Sequence, residues 1–347
     1  MNRRDLLKAL VALPVVAGGL SGQPVTPAPA GLALVKAPRL APGDTVAVIA
    51  PASGLKPDAF DRALQKLTGL GFKPKVGRYA RGQRGLFSGT EAERLHDLHW
   101  AFTDPEVRGV WCVRGGDGAP RLLPDIDYAL IRKNPKVFVG YSDITALHLA
   151  LLQNSSLVTF HGPVASSSFS HYARESVLAI LTQPTATYVN AVSADHRAKS
   201  SPLFKTEVIT PGRARGRLVG GNLTVLSALA GTPWALREPA GKILFLEDID
   251  EQPYRVDRML TQLRQSLDLR ALAGIALGVF EGCIATDDKP SPPLIEVLRE
   301  RLGDLGVPVI YGLSFGHVRD QFTLPLGISA ELDTASATVK FLEAAVA

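Results

Sequence analysis

The chain has 347 residues, 46% hydrophobic and 20% charged, with a formal charge of +5, a balance that suits a soluble globular protein of two ordinary domains with sizeable cores. No basic run with interleaved aromatic residues accompanies the charge, so nucleic-acid binding is not implied. Residues 1–30 carry Arg3, Arg4 and Lys8 against Asp5, and without them the charge falls to about +3.

Those first 30 residues read as an address. Arg3, Arg4, Asp5, Leu6, Leu7 and Lys8 precede an apolar stretch from Ala9 to Leu20, broken by Pro14. Ala28, Pro29 and Ala30 then supply an A-x-A-like cleavage site. The paired arginines resemble a twin-arginine export signal, which implies the twin-arginine export machinery as a partner and a periplasmic location. The apolar stretch is short for a membrane span, which needs ~20 residues.

From Asp44 to about Pro163 apolar strands alternate with helical patterns. Thr45 to Ala50 is a continuous apolar strand, Asp58 to Leu70 a helix and Phe72 to Val76 a short strand. Thr90 to Phe102 is helical, Gly109 to Val113 is a buried strand, and Ile126 to Ile131 is helical again. A strand over Lys136–Val139, a helix after Ser142 and a strand over Leu157–Phe160 close the series. This alternation predicts an α/β fold whose N-terminal domain, residues 44–165, is a doubly wound parallel sheet of the flavodoxin or glutamine-amidotransferase type. Ligands of such sheets sit at the C-terminal strand ends, where Gly115, Gly116 and Ser142 fall.

Residues 166–210 read as a connector with one helix near Glu175 to Leu181. A smaller, strand-rich C-terminal α/β domain is expected over 211–345. In it, a glycine-rich opening at Gly216 leads into a helix, and Gly241–Leu246 is a strand ending in Glu247. Val256, Leu260, Leu263 and Leu267 mark an amphipathic helix. Strands are expected at Ile275–Phe280, Val309–Tyr311, Phe322–Leu324 and Thr338–Phe341. The two cysteines, Cys112 and Cys283, lie in apolar runs and read as buried free thiols, although an exported protein could bridge them. No Cys/His group has zinc spacing, and neither a metal nor an organic cofactor is expected.

The strand-to-helix junction at Ser142 carries the most chemistry. A serine at a sharp turn of this kind exposes its hydroxyl above the sheet edge, beside free N–H groups of the following helix. Ile144 stands where the second glycine of G-x-S-x-G would be, so the residues alone leave two roles open: nucleophile or helix cap. A serine nucleophile needs a base and the base an orienting acid. His148 is six residues along the same helix and turned about 240° away. His96 and His99 sit mid-helix, and His171 and His196 lie in the connector. His161 follows a strand and could face the cleft, while His317 sits in a glycine-flanked loop. Glu247 ends an apolar strand.

Five ordered segments, RGGDGAPRLLPDID, VFVGYSDITAL, GRLVGGNLTVLSALAGTPW, ILFLEDIDEQPYRVDRML and YGLSFGHVRDQFTLPLG, resemble the LD-carboxypeptidase family of serine peptidases across residues 44–335. That family includes muramoyltetrapeptide carboxypeptidases and microcin C immunity peptidases. The resemblance implies a triad of Ser142, Glu247 and His317, release of terminal D-alanine from murein tetrapeptide stems, and a homodimer. Backbone N–H groups of Gly116 and Asp143 are then expected to hold the oxyanion. The Asp143 side chain has a separate role open to it, complementing the helix dipole. Arg114 and Gly115 are candidates for holding the substrate carboxylate, with a surface role equally open to Arg114. Asn222 either contacts substrate or stabilises its turn. A nucleotide-type substrate of the immunity peptidases would call for a stacking aromatic, with Trp234 and Tyr172 available, and a non-catalytic muropeptide-binding protein is the remaining alternative.

Overall fold

Apolar runs that must be buried on both faces become central strands with helices above and below. In the computed structural model, which describes residues 33–185, 187–286 and 290–347, this happens twice. The proposed export signal lies outside the described residues. β1 (Thr45–Ile49), β2 (Lys73–Val76), β3 (Val107–Cys112), β4 (Val137–Gly140) and β5 (Thr159–His161) pair in parallel, in the order β5-β4-β3-β1-β2. The intervening helices follow local rules. Pro57–Gly69 opens on a proline and buries Phe60, Ala63 and Leu67 on one stripe. Glu91–Thr103 is started by a capping box between Thr90 and Glu93.

β6 (Tyr188–Ala191) and β7 (Glu207–Thr210) come from the segment read as a connector. They become the two outer strands of a second sheet whose parallel centre is β8 (Arg213–Asn222), β9 (Lys242–Ile249), β10 (Gly274–Glu281) and β11 (Val309–Leu313). The strand expected at Phe322–Leu324 in the C-terminal domain is instead β12 (Leu324–Leu326), which leaves that sheet and crosses back to pair antiparallel with β5. Its crossing covers an open edge of the first sheet, which would otherwise expose unpaired backbone. β13 (Ser329–Asp333) and β14 (Thr338–Phe341) complete the second sheet in the order β6-β14-β13-β8-β9-β10-β11-β7. The chain is thus a mixed α/β protein with a parallel-strand N-terminal unit and a strand-rich C-terminal unit, the latter widened to eight strands by the connector.

Helix Thr145–Ser155 lies where the two units meet and is buried on nearly every side, which explains its apolar sequence without a polar face. The end of β8 approaches it so closely that a Cβ at Gly221 (φ +145°) would collide with the Thr145 side chain. The Asn222 N–H donates to Thr145 Oγ at 2.9 Å across the same contact. Both cysteines are buried and free.

Candidate active site

β4 ends at Gly140, where a Cβ would stand 2.7 Å from Ile144. Two residues on, Ser142 adopts φ +66°, a left-handed conformation that costs a side-chain-bearing residue roughly 1–2 kcal/mol. A 3-10 turn over Ser142–Ile144 then feeds the helix Thr145–Ser155. The Ser142 side chain caps neither element. Its hydroxyl donates to Nε2 of His317 at 3.0 Å, and Nδ1–H of His317 donates to Oε2 of Glu247 at 2.7 Å. A carboxylate can only accept, so it fixes the tautomer that leaves Nε2 free to take a proton from the hydroxyl.

The three residues come from both units. Glu247 is near the end of β9 and fully buried. His317 follows β11 in a loop where Gly316 (φ +106°) lets the backbone pass Glu247, a Cβ there meeting that of Glu247 at 2.9 Å. Burial alone would raise the Glu247 carboxyl pKa, but the charge and hydrogen bond of His317, aided by His161 and Asn222, hold it below the usual value. Burial likewise disfavours a charged His317, yet the Glu247 charge and hydrogen bond, with Asp248 and Asp250, raise its pKa above the ordinary imidazole value.

The loop after β3 passes over the serine. A Cβ at Gly115 would come within 2.8 Å of Ser142 Cβ, and Gly116 (φ +107°) leaves no room for one beside Ser53. Three side-chain hydrogen bonds pin this loop, and a fourth ties it to the turn after β1. Ser53 Oγ accepts the Asp117 N–H at 3.1 Å, and the Asp143 carboxylate accepts the Ala119 N–H at 2.7 Å. The buried Arg94 guanidinium donates to the carbonyls of Gly118 and Pro51 at 2.8 and 2.7 Å. The Asp143 side chain therefore does more than complement a helix dipole: it ties the serine turn to the glycine loop. Burial pushes its pKa up to about 6, the Ala119 N–H opposing this. The sequence reading missed Ser53 and Arg94. Ser53 follows β1 in a proline- and glycine-flanked turn that could have drawn attention, but a lone arginine within a helix gives no signal.

Arg114 and Gly116 line an open cleft of about 720 Å³ together with Lys56, Gln83, Phe87 and Asp117. Asn222 is buried, and both ends of its amide are engaged: Oδ1 accepts the Val225 N–H at 3.1 Å and Nδ2 donates to Asp248 at 3.0 Å. Of its two open roles, these bonds serve the turn. His148 is sealed in the core, donating from Nε2 to the Gly140 carbonyl at 2.8 Å, and burial pushes its pKa down to about 3. His161 does not face the cleft but is fully enclosed. His99 accepts the Asp127 N–H at 3.0 Å, His96 lies against Asp97, His171 pairs with Glu175, and His196 bonds Ser314. Tyr172 is held on β6 through a hydroxyl donated to the Ala191 carbonyl at 2.6 Å, and Trp234 packs against the core.

The LD-carboxypeptidase N-terminal domain model matches residues 46–162, and the LD-carboxypeptidase C-terminal domain model matches residues 215–332. A Bacillus subtilis protein named "Probable murein peptide carboxypeptidase" is 43% identical over 301 residues, covering 85% of this chain and 91% of the relative. The crystal structure of muramoyltetrapeptide carboxypeptidase from Oxalobacter formigenes superposes with a TM-score of 0.73 at 33% identity, covering 86% of this chain and 97% of that one. The wild-type apo structure of microcin C7 self-immunity protein MccF, a protein of Escherichia coli, gives a TM-score of 0.81 at 28% identity, covering 90% of this chain and 100% of that one.

Proposed function

From its membership of the LD-carboxypeptidase family of serine peptidases, to which the chain belongs, we propose that it hydrolyses the amide linking the terminal D-alanine to murein tetrapeptide stems through Ser142, His317 and Glu247. The observation carrying this reading is the continuous relay from Ser142 to His317 to Glu247, 3.0 and 2.7 Å long, anchored on a serine at positive φ. Ser142 Oγ attacks the scissile carbonyl as His317 Nε2 takes its proton, giving a tetrahedral oxyanion. Backbone N–H groups of Gly116 and Asp143 stabilise that oxyanion. His317 returns the proton to the leaving D-alanine amine, and water, activated by the same base, releases the acyl group from Ser142. Glu247 holds the imidazole's tautomer and stabilises its charged form throughout. Arg114, which lines the cleft with Gly116 and Lys56, is assigned to the substrate carboxylate because its guanidinium can bind it bidentately.

The test is mass spectrometry of disaccharide tetrapeptide incubated with wild type and with Ser142→Ala. Loss of one D-alanine with wild type alone supports the reading. An intact substrate with a folded, wild-type protein refutes it. The likeness to MccF favours a second reading, cleavage of aminoacyl-nucleotide-like conjugates. The same assay with such a conjugate decides between them, and the hydroxyl bond that holds Tyr172 on β6 and the packing of Trp234 on the core weigh against it. The paired Arg3 and Arg4 support export to the periplasm. Retention of an Arg3→Lys/Arg4→Lys protein in the cytoplasm, with wild type in the periplasmic fraction, is the expected outcome.

A further inference from the structure

Among the buried polar atoms without a hydrogen-bond partner are Oε1 of the triad's Glu247 and both ring nitrogens of His161. Both residues are wholly shielded from solvent, where leaving such atoms unmet is costly. They face the same interior space. Phe245 and Glu247 are two apart on β9 and share a face, and the His161 ring packs edge-on against Phe245 with centroids 5.3 Å apart. The Tyr141 ring touches both histidines, 4.8 Å from His317 and 5.9 Å from His161. His161 is also rigidly held. It ends β5, paired with Gly140 on one side and Leu324 on the other, and a Cβ on the next residue, Gly162, would lie 2.8 Å from the Thr323 hydroxyl oxygen.

We propose that His161 is a positioning residue for the triad acid: as a neutral imidazole it donates one ring N–H to a single buried water that in turn donates to Oε1 of Glu247. The carboxylate is then gripped at both oxygens and cannot rotate away from His317. Burial, with His317 adding to it and Glu247 opposing, pulls the His161 pKa down to about 4, which keeps the ring neutral with one N–H to give. Asn222 also stands beside Glu247 and helps hold its carboxyl pKa down, but one of its two Nδ2 hydrogens goes to Asp248 and its Oδ1 to the Val225 N–H, so it is shared with the turn. The other titratable groups facing the pair are His148, 6.4 Å behind His161 between ring centroids, with Asp248 and Tyr141, while the exposed Asp250 acts on His317. The role rests on Glu247 and His317 being the acid and base proposed above.

The experiment compares wild type, His161→Phe, His161→Leu and His161→Gln, each checked for fold by circular dichroism. The His317 imidazole is titrated by NMR, and kcat and KM are measured against pH on murein tetrapeptide. Removing a donor from an ionised carboxylate raises the proton affinity of the coupled Glu247–His317 pair by about one pH unit. The apolar variants should show that rise in both the NMR titration and the acidic limb of kcat/KM. Their kcat should fall by about tenfold with KM held. His161→Gln, which keeps a donor, should stay near wild type. A folded apolar variant with an unmoved His317 titration, or a Gln variant shifted as far as the apolar ones, overturns the proposal. The NMR readout needs no substrate, so a wild type that titrates as expected but leaves the tetrapeptide intact overturns the substrate reading alone.

Discussion

Asp143 offers a test in which stability and catalysis separate. Its carboxyl is 5% exposed, and burial moves its pKa from an ordinary 3.8 to about 6. The folded protein therefore binds this proton more tightly than the unfolded chain does. Stability contributed here is greatest in acid and falls as pH rises through the window from 3.8 to about 6. At 1.36 kcal/mol per unit the ionised group costs about 3 kcal/mol at neutral pH. Asp143→Asn keeps an oxygen for the Ala119 N–H (2.7 Å) and carries no charge to bury. Its unfolding free energy relative to wild type should therefore rise by about 2.4 kcal/mol between pH 4 and pH 7, most of the full swing, as the wild-type carboxyl ionises. Asp143→Ala removes that cost too but orphans the Ala119 N–H, a loss of about 1–3 kcal/mol. It also frees the glycine loop, so kcat should fall well below that of the Asn variant. Urea denaturation of the three proteins at both pH values, with kcat at pH 7, is the assay. Comparison within each pH cancels Asp248, whose carboxyl burial also raises to about 6. A stability difference between Asn variant and wild type that does not change with pH would refute the reasoning.

Ser142→Gly should abolish turnover yet raise thermal stability, because glycine accepts φ +66° without the roughly 1 kcal/mol cost borne by serine; a melting temperature below wild type would contradict the strain. Glu247→Gln should lower kcat by about 10³–10⁴-fold through loss of the tautomer lock. In wild type, kcat/KM should rise with pH through a His317 pKa above the ordinary imidazole value, because the base works unprotonated. His317 titration by NMR in Glu247→Gln should move to lower pH, since the raising charge is gone, and an unmoved titration would remove Glu247 from its assigned role.

Much of this site was legible before any coordinates, and unevenly so. The parallel N-terminal sheet could be read because its strands are continuous apolar runs, and the turn at Ser142 because Gly140 and a wholly apolar helix bracket it. The residues alone left Ser142 between nucleophile and cap, since both roles place a hydroxyl at a helix start. In the fold the hydroxyl caps no helix and bonds His317 Nε2 at 3.0 Å, a partner that no local sequence could announce. The connector's β6 and β7 escaped notice because edge strands bury one face at most; Val189 and Val208 are exposed. His161 was misjudged for a related reason. A histidine after a strand has the same local sequence whether it faces a cleft or a neighbouring sheet, and that choice is made by residues more than 80 positions away, Phe245 among them.

The path of the chain around His317 explains how parts from two units can be held to catalytic tolerance. β11, just before the loop, is bonded into the second sheet beside β10; β12, just after it, is bonded into the first sheet beside β5. The imidazole is thus carried on a segment anchored to both sheets within 15 residues, from Val309 at the start of β11 to Thr323 just before β12. A fluctuation that parts the sheets must break β12 from β5 before it can lengthen the Ser142–His317 bond. β5 is also the strand that ends in His161, so the pairing that anchors the His317 loop anchors His161 as well. Positional errors of ~1 Å at such sites can cost about 100-fold in rate. Weakening β12, by Leu324→Asp for example, should therefore depress kcat before it depresses secondary structure. Loss of helical ellipticity at lower urea than loss of activity would show that the crossing strand does not hold the site.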